Sequence, residues 1–124
     1  MTKPLALVFY ENLLPGSQLV NRLHDLGYRV QTIGDAGKIV DEARQAKPIV
    51  LVADLVSRAS DVCSMIGKLK ENLETRHIPI LAFTGSKDKK LQAAARAAGA
   101  TLVASDAAIL GQLPQLLDQI LEVE

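Results

Sequence analysis

Tryptophan is absent, and aromatic residues make up only 3% of the chain, so a platform for stacking bases is not expected. Excess charge of either sign is also missing: Lys plus Arg number 14 and Asp plus Glu number 14, which gives no reason to expect a nucleic-acid or membrane-surface partner. One cysteine, Cys63, excludes an internal disulfide and fits a reducing compartment. It is expected to be a small core residue, because nothing basic adjoins it to lower its pKa. No apolar run approaches the roughly 20 residues of a membrane span, and the start shows no cleavage-type leader. Neither Gly-x-Gly-x-x-Gly nor a P-loop occurs. His24 and His77 have no second ligand at metal-binding spacing. The 124 residues, 48% of them hydrophobic, are expected to form a single domain over 1–124: a soluble cytoplasmic protein, or a domain of a larger one.

What is present is a set of short, wholly apolar runs. Ile49–Asp54 (Ile-Val-Leu-Val-Ala-Asp) has no polar face, so it is expected to be a strand covered on both sides, in the middle of a parallel sheet. Pro48 opens it and Asp54 ends it with a carboxylate. Leu5–Tyr10 is a second buried strand, broken by Glu11. Pro15 suits the first turn of a helix running to about Leu26, with Leu19, Val20, Leu23 and Leu26 on one face and Gly27 as its stop. Arg29–Ile33 alternates and belongs near an edge. Asp35 caps a helix over 36–46, with Ile39, Val40 and Ala43 inward. A third helix is expected over 61–72, with Val62, Met65, Ile66 and Leu69 inside. Strand 79–83 is closed by Thr84-Gly-Ser. Then come an Ala-rich helix over 87–98 stopped by Gly99, a short strand over 101–104, and a helix over 110–121 with an interruption at Pro114.

These are five βα units of crossover size. The most apolar strands, the first, third and fourth, should be central. The flavodoxin-like doubly wound order 2-1-3-4-5 satisfies this and places its switch point between strands one and three. Glu11 and Asp54 end those two strands, so the two carboxylates should share the crevice.

The chain resembles a response-regulator receiver domain along essentially its whole length. The resemblance rests on Asp54 after Val-Leu-Val-Ala, Leu26-Gly27-Tyr28, Thr84-Gly85, and the Ala97-Ala-Gly-Ala100 segment. It implies a two-component or phosphorelay signalling module rather than an enzyme. In it Asp54 would be the phosphoacceptor for a histidine kinase, Thr84 would contact the phosphoryl group, and Mg²⁺ would sit near Glu11, Asp54 and the Val56 carbonyl. The departures from the family pattern are equally specific. Tyr10-Glu11 stands in place of an acidic pair, and Asp106 or Ser105 in place of a lysine. Ala107 replaces a proline and Val103 a switch aromatic, and the loop Leu55-Val-Ser-Arg-Ala lacks its proline.

Glu11, Asp54 and Asp106 with Mg²⁺ sum to about −1, whereas a receiver site with its lysine sums to about zero. Unit charges roughly 4 Å apart are worth about 4 kcal/mol at an effective dielectric near 20, so an aspartate for a lysine turns attraction for phosphoryl oxygens into repulsion. Two carboxylates and a carbonyl predict only weak Mg²⁺ binding. The expectation is an impaired phosphoacceptor site and action by protein–protein contact. Tyr10 is a candidate to fill the pocket, with its hydroxyl on Asp54.

The resemblance implies an output face on the fourth helix, fifth strand and fifth helix. It would offer Lys90, Arg96, Gln112, Gln115, Asp118 and Gln119, with Leu113 and Leu117 as exposed apolar anchors for a kinase, an output protein or a second copy. Lys87-Asp-Lys-Lys90 reads as a solvated helix start. The competing reading is a flavodoxin-like ligand-binding domain or small enzyme using the same crevice. Against it, no general-base histidine reaches the strand ends by sequence position, and 12–17 is a poor phosphate loop. A third reading is a structural domain of a longer chain.

Overall fold

The computed structural model describes residues 4–11, 13–56, 61–85 and 87–121. Parts of the expected phosphate-loop segment 12–17, the polar loop 57–60, Ser86 and the final 122–124 lie outside the described residues.

The strands are β1 (Leu5–Phe9), β2 (Arg29–Ile33), β3 (Val50–Asp54), β4 (Ile80–Thr84) and β5 (Leu102–Ser105). They form one parallel sheet in the order β2-β1-β3-β4-β5, the expected doubly wound, flavodoxin-like arrangement. All residues of β3 and β4 are buried, as their lack of a polar face requires, whereas β2 at the edge buries only Ile33 fully.

The helices are α1 (Leu13–Asp25), α2 (Ile39–Ala46), α3 (Val62–Glu71), α4 (Lys89–Ala98), α5 (Asp106–Gly111) and α6 (Leu113–Leu121). A 3₁₀ turn, Ala36–Lys38, precedes α2, and the Asp35 carboxylate accepts the Gly37 N–H at 2.9 Å, so its capping falls on that turn. Side-chain alternation along the strands makes two cores. On one face Leu7, Phe9, Leu51, Ala53, Ile80 and Ala82 pack under α2, α3 and α4; on the other Val8, Val52, Leu81 and Phe83 pack under α1, α5 and α6. Each face holds one fully buried phenylalanine, worth about 1.5–3 kcal/mol of burial. Cys63 is buried in the first of these cores, and burial raises its thiol pKa.

The helix ends follow sequence chemistry. Asp61 caps α3 by accepting the Ser64 N–H, and Asp88 caps α4 by accepting the Leu91 N–H. Gly27 and Gly99 take φ of +93° and +121°, which lets the chain turn after α1 and α4. Lys47 closes α2 in the left-handed region (φ 49°), where a non-glycine residue costs roughly 1–2 kcal/mol.

Four expectations need correction. Strand β3 starts at Val50, and Ile49, before it, is 42% exposed, although its N–H donates to the Leu5 carbonyl at the start of β1. Leu26 lies beyond the end of α1 and is 41% exposed, so it does not share the inward face of Leu19 and Leu23. The last helix is two: Ser105 starts α5 by accepting the Ala108 N–H at 3.1 Å, and a break at Gln112 precedes α6. Leu113 and Leu117 are buried rather than exposed, because with Leu116 and Ile120 they form the inward stripe of α6 at helical spacing. Among the described residues no helix is long and apolar enough to cross a membrane.

Candidate functional site

The carboxyl ends of the central strands gather the residues singled out above. Asp54 ends β3 and is only 3% exposed, beside Phe83 in the β3–β4 register. The Val56 N–H donates to Asp54 Oδ1 at 2.9 Å, and the Leu55 N–H donates to the Phe83 carbonyl at 2.9 Å. These two bonds fix the chain as it leaves the sheet. Burial raises the pKa of Asp54, the Val56 hydrogen bond lowers it, and the charges of Asp106 and then Glu11 raise it again. The two acidic residues thus face Asp54 electrostatically from the ends of β5 and β1.

Among the described residues no basic group forms an ion pair with Asp54 or Asp106; the described ion pairs join Arg44 to Asp41 and Glu74. Glu11, half-buried, has partners of its own. Val56 is exposed, and its N–H is committed to Asp54.

Thr84 ends β4 opposite Ser105 in the register. It is 1% exposed, and its Oγ1 has no hydrogen-bond partner among the described residues. Buried hydroxyls are ordinarily satisfied, so this one is set for something outside the described protein atoms. Beside it opens a cleft of about 370 Å³ lined by Gly85, Lys87, Ser105, Asp106 and Ala107.

Two sequence readings are corrected at the strand ends. The run 87–90 is exposed, but the helix starts two residues later than expected: α4 begins at Lys89, and Lys87 lies in the preceding turn on the wall of the cleft. The signal was available in Asp88, a good N-cap residue that places the helix start after itself. Tyr10 does not bond Asp54 among the described residues. Its ring lies against Gly16 in α1 and packs with the core beneath that helix.

The oxygen donors at the strand ends are of the type Mg²⁺ takes. Among the described residues, however, no three carboxylate, histidine or cysteine groups come close enough to hold one metal ion together. At most two such side chains among the described residues could share one ion there. His24 in α1 and His77 before β4 are both exposed and stand apart from this site in the chain.

No family model and no curated protein matches the chain. Solved structures do. The receiver domain of the sensor histidine kinase PA1611 from Pseudomonas aeruginosa PAO1, solved with a magnesium ion in its active-site cleft, is 20% identical with a TM-score of 0.85 over 97% of this chain and 98% of that one. The chemotaxis protein CheY4 of Vibrio cholerae is 18% identical, with a TM-score of 0.84 over 96% and 99%. The receiver domain of NtrX from Brucella abortus is 17% identical, with a TM-score of 0.85 over 96% and 99%. With the same strand order and helices on both faces over nearly its whole length, the chain has the fold of response-regulator receiver domains.

Proposed function

We propose that residues 1–124 act as one receiver-type signalling module of a two-component or phosphorelay system, with Asp54 at the phosphoacceptor position and an impaired phosphoacceptor site. The observation that carries this reading is the buried Asp54 carboxylate at the end of β3, faced by the charges of Asp106 and Glu11 and paired with no described cation.

In phosphoryl transfer from a histidine kinase the phosphorus–nitrogen bond breaks as a bond to an Asp54 oxygen forms. Oδ1 is held by the Val56 N–H, which leaves Oδ2 as the attacking atom. Negative charge on the phosphoryl oxygens then meets Asp106 and Glu11. Such transfer depends on positioning and charge neutralisation, so that placement opposes it. Glu11, Asp54 and the Val56 carbonyl would hold Mg²⁺, which when bound supplies charge neutralisation. The magnesium-bound Pseudomonas receiver domain supports a site of this kind, and the sparse donor set here supports weak binding.

The module acts in the cytoplasm as a binding partner rather than an enzyme. Its contact face for a kinase, an output protein or a second copy is α4–β5–α6, where Lys90, Arg96, Gln112, Gln115, Asp118 and Gln119 are exposed. It needs neither nucleic acid nor membrane.

The test is a titration of Mg²⁺ with beryllofluoride, a phosphoryl mimic, followed by amide shifts around Asp54. Shifts that appear only at millimolar Mg²⁺ are expected. Saturation at sub-millimolar Mg²⁺ would overturn the impaired-site reading.

A further inference from the structure

We infer that Lys87, in the turn between β4 and α4, supplies the cation of an oxyanion-binding cleft whose ligand is the phosphoryl group carried on Asp54. The inference rests on the reading of Asp54 given above and adds a residue to that site.

The β5 side of the cleft offers no cation. Ser105 Oγ is engaged with the Ala108 N–H, Asp106 is acidic and Ala107 is apolar. The opposite wall is Gly85 and Lys87. Next to this cleft, at the end of β4 and between Gly85 in the chain and Ser105 in the register, is the buried Thr84 hydroxyl with no partner among the described residues. A phosphoryl oxygen would accept from that hydroxyl and from the Lys87 ammonium, a point charge on a flexible four-carbon stem.

The root of that stem is anchored. The Gly85 carbonyl accepts both the Asp88 N–H at 3.1 Å and Gln92 Nε2 at 3.2 Å, and Asp88 Oδ1 accepts the Leu91 N–H at 3.1 Å. Lys87 thus projects from a turn closed by one internal hydrogen bond and tied to α4 by two. Its side chain is exposed, and it forms no ion pair with any described carboxylate, so its ammonium is available. Charge points the same way: Glu11, Asp54 and Asp106 with one divalent cation sum to about −1, and the exposed, solvent-screened Lys87 offsets part of that excess without removing the repulsion from Asp106.

The experiment is an amide-shift titration of the whole chain with beryllofluoride at saturating Mg²⁺. Wild type is compared with Lys87→Gln, Lys87→Arg and the neighbouring control Lys89→Gln. Lys87→Gln is expected to weaken the apparent affinity roughly tenfold, the worth of one exposed charge-assisted contact. Lys87→Arg should retain most of it, and Lys89→Gln should match wild type. Unchanged shifts elsewhere show that each variant is folded. If wild type responds and Lys87→Gln binds equally well, the role of Lys87 is overturned and the reading of Asp54 stands. If Lys89→Gln loses as much as Lys87→Gln, the effect is general charge and the inference is likewise overturned. If wild type shows no response around Asp54 and Thr84, the phosphoacceptor reading falls, and the inference falls with it.

Discussion

Asp54 is held above the usual carboxylate range by burial first, and of its two acidic neighbours Asp106 adds more to that push than Glu11. The hydrogen bond from the Val56 N–H works the other way without cancelling it. The folded chain therefore keeps a proton on this carboxyl at pH values where the unfolded chain, near 3.8, has lost it. Stability from this group is complete below the unfolded value and is lost as pH rises through the folded one. Asp54→Asn should be more stable than wild type at neutral pH, with the gap closing as pH falls towards 3.8. Asp106→Asn should recover only part of the gain. Urea midpoints of the three proteins across the acid range check this, and parallel curves for wild type and Asp54→Asn would contradict it.

Two buried threonines should respond oppositely to the same change. Thr75 Oγ1 donates to the Leu69 carbonyl at 2.7 Å, whereas Thr84 Oγ1 has no described partner. Thr75→Val leaves a buried carbonyl short of a donor and should cost about 1–3 kcal/mol. Thr84→Val removes an unsatisfied hydroxyl and should be neutral or stabilising by about 1 kcal/mol, while weakening the beryllofluoride response. Thermal unfolding of both variants tests the pair. A Thr84→Val protein that loses stability as Thr75→Val does would show that the Thr84 hydroxyl is already satisfied.

Strand order and the placement of Asp54 were legible because 5–9, 50–54 and 80–84 carry no polar face, and only central parallel strands tolerate that. Leu113 and Leu117 were legible too, since Leu113, Leu116, Leu117 and Ile120 recur at three- and four-residue spacing, the mark of a buried stripe. Reading them as anchors let the family's output face override the periodicity of the helix. Asp88 marked the start of α4, but nothing local told that Lys87 would end on the wall of a cleft whose other side is twenty residues away. That juxtaposition exists only once β4 and β5 are paired. Lys47 carried no signal at all, because neither glycine nor asparagine announces its left-handed turn.

Leu117 is 3% exposed, so it probes the core and not the partner face. Leu117→Ala should cost about 2–5 kcal/mol. Leu117→Asp adds a buried charge and should leave little folded protein at room temperature. Gln115→Ala and Gln119→Ala, on the exposed side of the same helix, should stay within about 0.5 kcal/mol of wild type. Urea unfolding separates the two classes, and a Leu117→Asp protein of wild-type stability would place that side chain at the surface. Loss of a partner or dimer contact is informative only in the glutamine variants.

The ring of Tyr10 rests on Gly16, the fourth residue of α1, so closely that a β-carbon there would overlap the ring carbons. An alanine in place of a helix glycine ordinarily gains about 1 kcal/mol. Overlap with a seated ring costs about 1–3 kcal/mol, so Gly16→Ala alone should be destabilising. In a Tyr10→Ala background the ring is gone, and Gly16→Ala should become stabilising. A double-mutant cycle by urea unfolding reads that change of sign as a coupling energy. The seat on Gly16 also bears on the acidic site: with the ring held there and no described bond from its hydroxyl to Asp54, Tyr10→Phe should leave the titration of Asp54 where it is in wild type. A shift of that titration in Tyr10→Phe would show the hydroxyl working on the carboxylate, and a stabilising Gly16→Ala in the wild-type background would show that the ring does not sit on the helix.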